Sequence, residues 1–301
     1  MRKFIRYCIL FAIPLVGVVI AMEYMARRTP NPYSYKYEWM EQHAEQVNTI
    51  LLGSSHNFYG VCPQLFPELT FNMANVSQEV EQDLWLLKHW APRYKQLKTV
   101  VLCMSTIFWF NKGLENGDEA FRCRNYKIYM HCDLYPALSE YSFEVAAWPI
   151  ARNKIAHASD NGCNELGQGT AFALANKEVE KWDDEKKGIK AARHHTPDNW
   201  NYIEKNYRLM SELAEFCSSR GIRLVLITTP TWHTYYNHVY PRQLAMMHRL
   251  TKKFQEQYNI TYLDYLTDPR FVADDFYDNN HLSDVGAVKF TKILLSDMYG
   301  E

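Results

Sequence analysis

Ile50-Leu51-Leu52-Gly53-Ser54-Ser55-His56 runs three apolar residues straight into small hydroxyl residues and a histidine. A serine becomes a nucleophile when a base takes its proton and donors hold the oxyanion. The histidine with the most suitable setting lies far downstream. In Phe276-Tyr277-Asp278-Asn279-Asn280-His281-Leu282-Ser283, Asp278 stands three residues before His281. A carboxylate at that spacing on a loop can bond the ring Nδ1, fix the tautomer and leave Nε2 facing a serine. The chemistry would be acyl transfer, with Ser55 as nucleophile, His281 as base and Asp278 orienting the base. Each signal has a plainer reading. A serine after a strand is often a helix N-cap, and Asp278 with His281 can be a helix-capping cluster, with Asp284 itself a cap. Their order, at the two ends of one α/β pattern, favours the Ser-His-Asp reading. His56, next to Ser55, reads as a pocket wall. His194, His195 and His233 read as surface or substrate contacts. Trp232, Tyr235 and Tyr236 read equally as a sugar groove or as packing.

Elements must bring Ser55 and His281 together. Val47–Ser55 is an apolar strand ending in small residues, and Leu69–Gln78 is a shorter one. Glu79–Tyr94 shows helical periodicity, and Leu97–Thr106 is a second long apolar strand. Asn199–Gly221 is an amphipathic helix with Ile203, Tyr207, Leu213 and Phe216 on one face. Ile222–Trp232 is a strand stopped by Pro230, Gln243–Asn259 a helix, Ile260–Leu266 a strand, and Val285–Tyr299 the closing helix. Alternating strands and helices, with continuously apolar strands, predict a three-layer α/β sandwich around a mostly parallel sheet. Ligands of such sheets sit at the carboxyl ends of the strands. Residues 111–199 break the rhythm and read as an insertion covering those ends.

The 301 residues, 47% hydrophobic, can bury a large core, and a formal net charge of −1 without a basic run leaves nucleic-acid binding no electrostatic footprint. Arg2, Lys3 and Arg6 precede the uncharged run Tyr7–Met22, with no small-residue cleavage site after it. Residues 1–28 read as an uncleaved signal anchor, a single transmembrane helix with the remainder extracytoplasmic; the alternative is a cleaved signal peptide. Residues 29–46, rich in Pro and Tyr, read as a stalk, and 47–301 as the α/β domain. Of seven cysteines, Cys123 and Cys132 are the nearest candidates for a disulfide in an outside location. No Cys-x-x-Cys or His/Cys ligand spacing suggests a metal, and no cofactor is expected.

These blocks resemble the SGNH or GDSL-type hydrolases and acyltransferases. Leu52-Gly53-Ser54-Ser55-His56 resembles the nucleophile block. Asn72-Met73-Ala74-Asn75 resembles the second block, and Asp278-Asn279-Asn280-His281 the terminal D-x-x-H block. The resemblance implies an oxyanion hole built from the N–H groups of Ser55 and Ala74, the latter standing where Gly is usual, with Asn75 as a substitute donor. It departs at the third block: after Val100–Met104 the family has Gly-x-Asn-Asp, and here Ser105-Thr106-Ile107-Phe108 stands instead. A membrane anchor joined to Gly-Ser-Ser and D-x-x-H is similar to tethered relatives that move acyl groups on envelope polymers, such as teichoic acid D-alanyl transfer and alginate acetylation proteins.

Two functions follow as expectations. One is a serine esterase or O-acyltransferase acting on acyl esters of cell-envelope glycans or polysaccharides, with a membrane acyl-donor protein as an open partner. The other, supported by the missing third-block Asn, is a catalytically impaired scaffold that binds a glycan or a membrane acyltransferase.

Overall fold

The computed structural model describes residues 1–178 and 182–300. Five strands, β1 Thr49–Leu52, β2 Thr70–Asn72, β3 Thr99–Cys103, β4 Arg223–Thr228 and β5 Thr261–Asp264, form one sheet in the order β2-β1-β3-β4-β5. Every neighbouring pair is parallel, and Leu51, Val101 and Val225 lie in register across the three central strands. Parallel strands need crossovers, and helices supply them.

In chain order these helices are α1 Arg2–Arg28, α2 Pro32–His43, α3 Ser55–Gly60, α4 Val80–Trp90, α5 Cys123–Tyr129, α6 Trp148–His157, α7 Glu185–His194, α8 Ile203–Ser219, α9 His233–Tyr236, α10 Pro241–Tyr258 and α11 Asp284–Tyr299. Side chains of a strand alternate between faces, and here the alternation separates two cores. Ile50, Leu52, Val100, Leu102, Leu224 and Leu226 pack with residues of α2, α4, α5, α8 and α10. Leu51, Val101, Cys103, Val225 and Ile227 pack with Phe290, Leu294 and Met298 of α11. The result is the three-layer α/β architecture that the apolar strands predict.

Two expectations change. Residues 29–46 are not a stalk: Asn31 caps α2 through its side chain, and Tyr33, Lys36 and Met40 are buried against the body. Cys123 and Cys132 do not pair; both are buried free thiols, the first opening α5 and the second lying past its end. The rest of α5 stands between them, and burial pushes the thiols up to about 11 and about 12. The insertion at 111–199, which includes 179–181 outside the described residues, is built into the body. Leu166 accepts from Asn72 N–H along the free edge of β2, and Tyr126 of α5 is fully buried in the core.

α1 is long and apolar enough to cross a membrane, and its apolar stretch is uncovered by the rest of the protein.

Candidate active site

The chain leaves β1 for β2 on one side and β3 on the other, so the strand order reverses between β1 and β3, where parallel sheets open a crevice. Gly53 occupies that point. Its φ is +105°, and a Cβ there would meet Cys103 Cβ at 3.1 Å, so both the turn and the close approach of β3 call for glycine. Gly53 N–H donates to Asp83 Oδ1 at 2.9 Å. Ser54 then occupies the N-cap position of α3 without a side-chain capping bond, and Ser55 is the helix's first residue. Asn57 holds α3 to the sheet by donating to Leu52 O at 2.6 Å.

His281 arrives on the loop before α11. Its carbonyl accepts from Tyr277 N–H at 2.9 Å, and Ser283 N–H donates to Asp275 O at 2.9 Å. Ser283, not Asp284, caps α11, its Oγ accepting from Gly286 N–H at 3.1 Å. This loop brings His281 Nε2 within 2.8 Å of Ser55 Oγ across 226 residues of chain. The ring's Nδ1 lies 3.0 Å from both oxygens of Asp278. Asp278 also accepts from the backbone N–H groups of Asn280 (2.9 Å) and His281 (2.8 Å). Burial pulls the Asp278 carboxyl up, but the His281 ring and these donors outweigh it and hold the group down to about 2. A carboxylate kept ionised there fixes Nδ1 as the protonated nitrogen, leaving Nε2 as the acceptor for the serine proton.

Aromatic and imidazole rings enclose the histidine. Phe172, from the insertion, lies 5.1 Å from His281 and stacks on Tyr277 at 4.4 Å. His56 is buried and stacks on His281 at 4.8 Å, its Nδ1 3.2 Å from Ser54 Oγ. Burial, reinforced by His281, pushes the His56 ring well below the ordinary imidazole range, so it is neutral. His195 is likewise driven down to about 4, mainly by burial, and its Nδ1 lies 2.7 Å from Tyr235 OH. Tyr235 is buried, which decides against a sugar-groove role, and Trp232 packs with the α11-side core.

A cavity of about 790 Å³ opens on Ser55. Its wall is strongly polar, with Asn111, Lys112, Asp118, Arg193, His194 and Asn199 contributed by the two ends of the insertion. Asp278 and His281 are not part of that wall; they approach Ser55 from the side of α11. Among the described residues no group of three or more His, Cys, Asp or Glu is arranged to hold a metal.

The expected oxyanion donors divide. Ser55 lines the cavity, and its backbone N–H has no partner among the described residues. Ala74 does not present a donor: its N–H already donates to Asn72 Oδ1 at 3.0 Å, and the residue is fully buried. Asn75 is also withdrawn, its amide donating to Met73 O at 3.3 Å and to Gln78 Oε1 at 3.1 Å. Ser105, in the place of the third-block Asn, lines the cavity instead, and its hydroxyl has no partner among the described residues.

Asp83 is the neighbour that the motifs do not reveal. It is fully buried beneath the turn at Gly53, lines the cavity floor, and accepts on Oδ1 from Gly53 and from Gln78 Nε2 at 2.6 Å. Its Oδ2 has no partner among the described residues. A trace does exist in the sequence, since Asp83 interrupts the apolar stripe of Val80, Leu84 and Leu87 on one helix face.

Solved structures similar to the chain include the following two. One is a protein provisionally described as a platelet activating factor from Streptococcus pneumonia, with TM-score 0.46 and 12% identity, covering 96% of this chain and 99% of that one. The other is provisionally described as an acylhydrolase from Bacteroides fragilis NCTC 9343, with TM-score 0.40 and 10% identity, covering 86% and 95%. No protein-family model matches the chain, and no curated protein matches it either. Likeness this distant identifies neither activity nor substrate.

Proposed function

We propose that the protein is a serine-dependent esterase or O-acyltransferase acting on acyl esters of polar, hydroxyl-rich molecules, with cell-envelope glycans as the substrate class. The observation that carries this reading is the unbroken contact from Ser55 Oγ through His281 to both oxygens of Asp278. In the proposed reaction Ser55 Oγ attacks the ester carbonyl while its proton passes to His281 Nε2. The tetrahedral oxyanion is held by Ser55 N–H and the Ser105 hydroxyl, in place of Ala74 and Asn75. Its collapse breaks the ester bond, and the departing alkoxide takes the proton from His281. Water, or a hydroxyl of a second glycan, then gives its proton to His281 and attacks the acyl-serine; the Ser55–acyl bond breaks, Ser55 Oγ takes the proton back from His281, and acid or a new ester leaves. The polar cavity wall suits a carbohydrate better than a fatty acyl chain. With α1 as the anchor and the domain outside the cytoplasmic membrane, envelope polymers and a membrane acyl-donor protein are within its range.

The fluorophosphonate reaction tests the nucleophile. The full chain in detergent should be labelled on Ser55, and Ser55→Ala and His281→Ala should each abolish the adduct. Release of acetate or another acyl group from acylated glycans by the same preparation identifies the substrate. A second reading is favoured by the engaged donors at Ala74 and Asn75: a scaffold that binds glycan without turning it over. Glycan binding that persists in Ser55→Ala, with no labelling of a folded wild type, would decide for that reading.

A further inference from the structure

The uncharged run of α1, Tyr7–Met22, measures about 24 Å at 1.5 Å per residue, short of the roughly 30 Å hydrocarbon core. Phe4 and Ile5 can extend that run at one end, and at the other the run stops at Met22, so a membrane-spanning α1 carries its next turn, Glu23 to Ala26, at the edge of the hydrocarbon. Glu23 is a carboxylate at that depth, and the domain satisfies it. Its Oε1 accepts from Glu144 N–H at 3.2 Å and its Oε2 from Val145 N–H at 2.9 Å. Arg27 pairs with Glu23 at 2.5 Å and donates to Ser142 O at 2.9 Å. Tyr129 OH donates to Ala26 O at 3.2 Å, and Ala26 is fully buried. These bonds fix residues 142–145 at the level of the last membrane turn. The join is short as well, because only Thr29 to Asn31 separate α1 from the buried helix α2.

Large apolar side chains are exposed on residues 142–145 and the chain segments that flank them. Leu138 is 95% exposed, Phe143 54%, Ile150 41% and Leu134 37%. They are four of the nine large exposed apolar residues that follow α1 among the described residues, gathered within seventeen positions. Arg124 shapes this loop by donating to Phe143 O at 2.8 Å and Glu140 O at 2.9 Å. The exposed Arg152, two residues after Ile150 on α6, adds a cation suited to lipid phosphates.

We infer that residues 134–150 form a second membrane contact, an apolar patch that lies in the bilayer interface beside the anchor and seats the domain on the lipid surface. The partner is the phospholipid bilayer itself. The inference rests on α1 being a membrane span, and it makes the domain a body fixed in height and tilt rather than one swinging on a tether.

The test places the full chain in phosphatidylcholine nanodiscs containing a phosphatidylcholine with a diazirine in its acyl tail. After photolysis, adducts are mapped by mass spectrometry. Adducts are expected on α1 and on 134–150, and Leu138→Asn/Phe143→Asn/Ile150→Asn should remove the second set while leaving the first. Glu23→Ala, which frees the N–H groups of Glu144 and Val145, should lower labelling of 134–150 severalfold. Adducts confined to α1 would overturn the inference while leaving the membrane span intact. Absence of adducts on α1 would remove the span, and the inference with it.

Discussion

Asp278 accepts the His281 ring N–H on both of its oxygens, and two backbone N–H groups hold it in place. Asp278→Asn would keep the loop but offer Nδ1 an amide, which lets the ring take the wrong tautomer. The expected cost is about 10³- to 10⁴-fold in kcat with little change in KM, read from steady-state ester hydrolysis. Asp83 behaves in the opposite sense. Burial pushes its carboxyl up to about 7, although Gln78 and Gly53 N–H pull it down. An aspartate in an unfolded chain titrates near 3.8. Between about pH 4 and 7 the folded protein holds a proton that the unfolded chain has lost, so this group's contribution falls as pH rises through that window. Asp83→Asn removes the dependence. It should leave stability nearly unchanged at pH 4 and raise it at pH 8 by on the order of a few kcal/mol, measured by denaturant unfolding at each pH. A flat difference between the two proteins across that range would mean that Asp83 stays ionised.

At the level of elements, the site depends on how closely α11 approaches the turn at 273–275. A Cβ at Gly286 would fall 1.8 Å from Asp275 O, a backbone atom that cannot move aside. Gly286→Ala must push α11 away from the loop that carries Asp278 and His281. A loss of about 1–3 kcal/mol is expected from the overpacking. Fluorophosphonate labelling of Ser55 should fall more steeply than the melting temperature, because the contact with His281 tolerates little displacement. Leu51→Ala probes the sheet itself. That side chain is fully buried on the α11 face, and its truncation should cost about 2–5 kcal/mol in thermal or denaturant unfolding.

Across the whole molecule, cross-linking is absent from the fold: the cysteines are free thiols, most of them buried. Denatured protein should therefore alkylate at all seven cysteines without any reductant, as read by intact mass. Cohesion comes instead from the two cores on either face of the sheet and from α2, which couples α1 to the candidate site. Lys36 of α2 is fully buried, donates from Nζ to Ala74 O and lies 4.2 Å from the Phe58 ring centroid. Burial draws its ammonium down to about 7. One helix thus links the end of α1 to the loop beside Ser55.

Chain order alone specified the strands, because continuous apolar runs such as Thr99–Cys103 and Arg223–Thr228 have few alternatives to a covered parallel sheet. It also singled out Ser55, Asp278 and His281, since small residues after a strand and a carboxylate three places from a histidine are local patterns. Helix α2 was hidden. Its buried stripe of Tyr33, Lys36 and Met40 contains a lysine, which breaks the apolar period, and Asn31-Pro32 reads as a turn although it is an N-cap and first-turn pair. The choice of oxyanion donors was equally out of reach. Whether an N–H is free depends on what lies against it. Asn72 and Gln78 lie only two and three residues from Ala74 and Asn75, but the direction in which their side chains point is set at longer range, by Asn57 O accepting from Asn72 and Tyr126 OH donating to Gln78. Spacing along a chain can nominate a chemical group; packing determines whether its hydrogen bond is already taken.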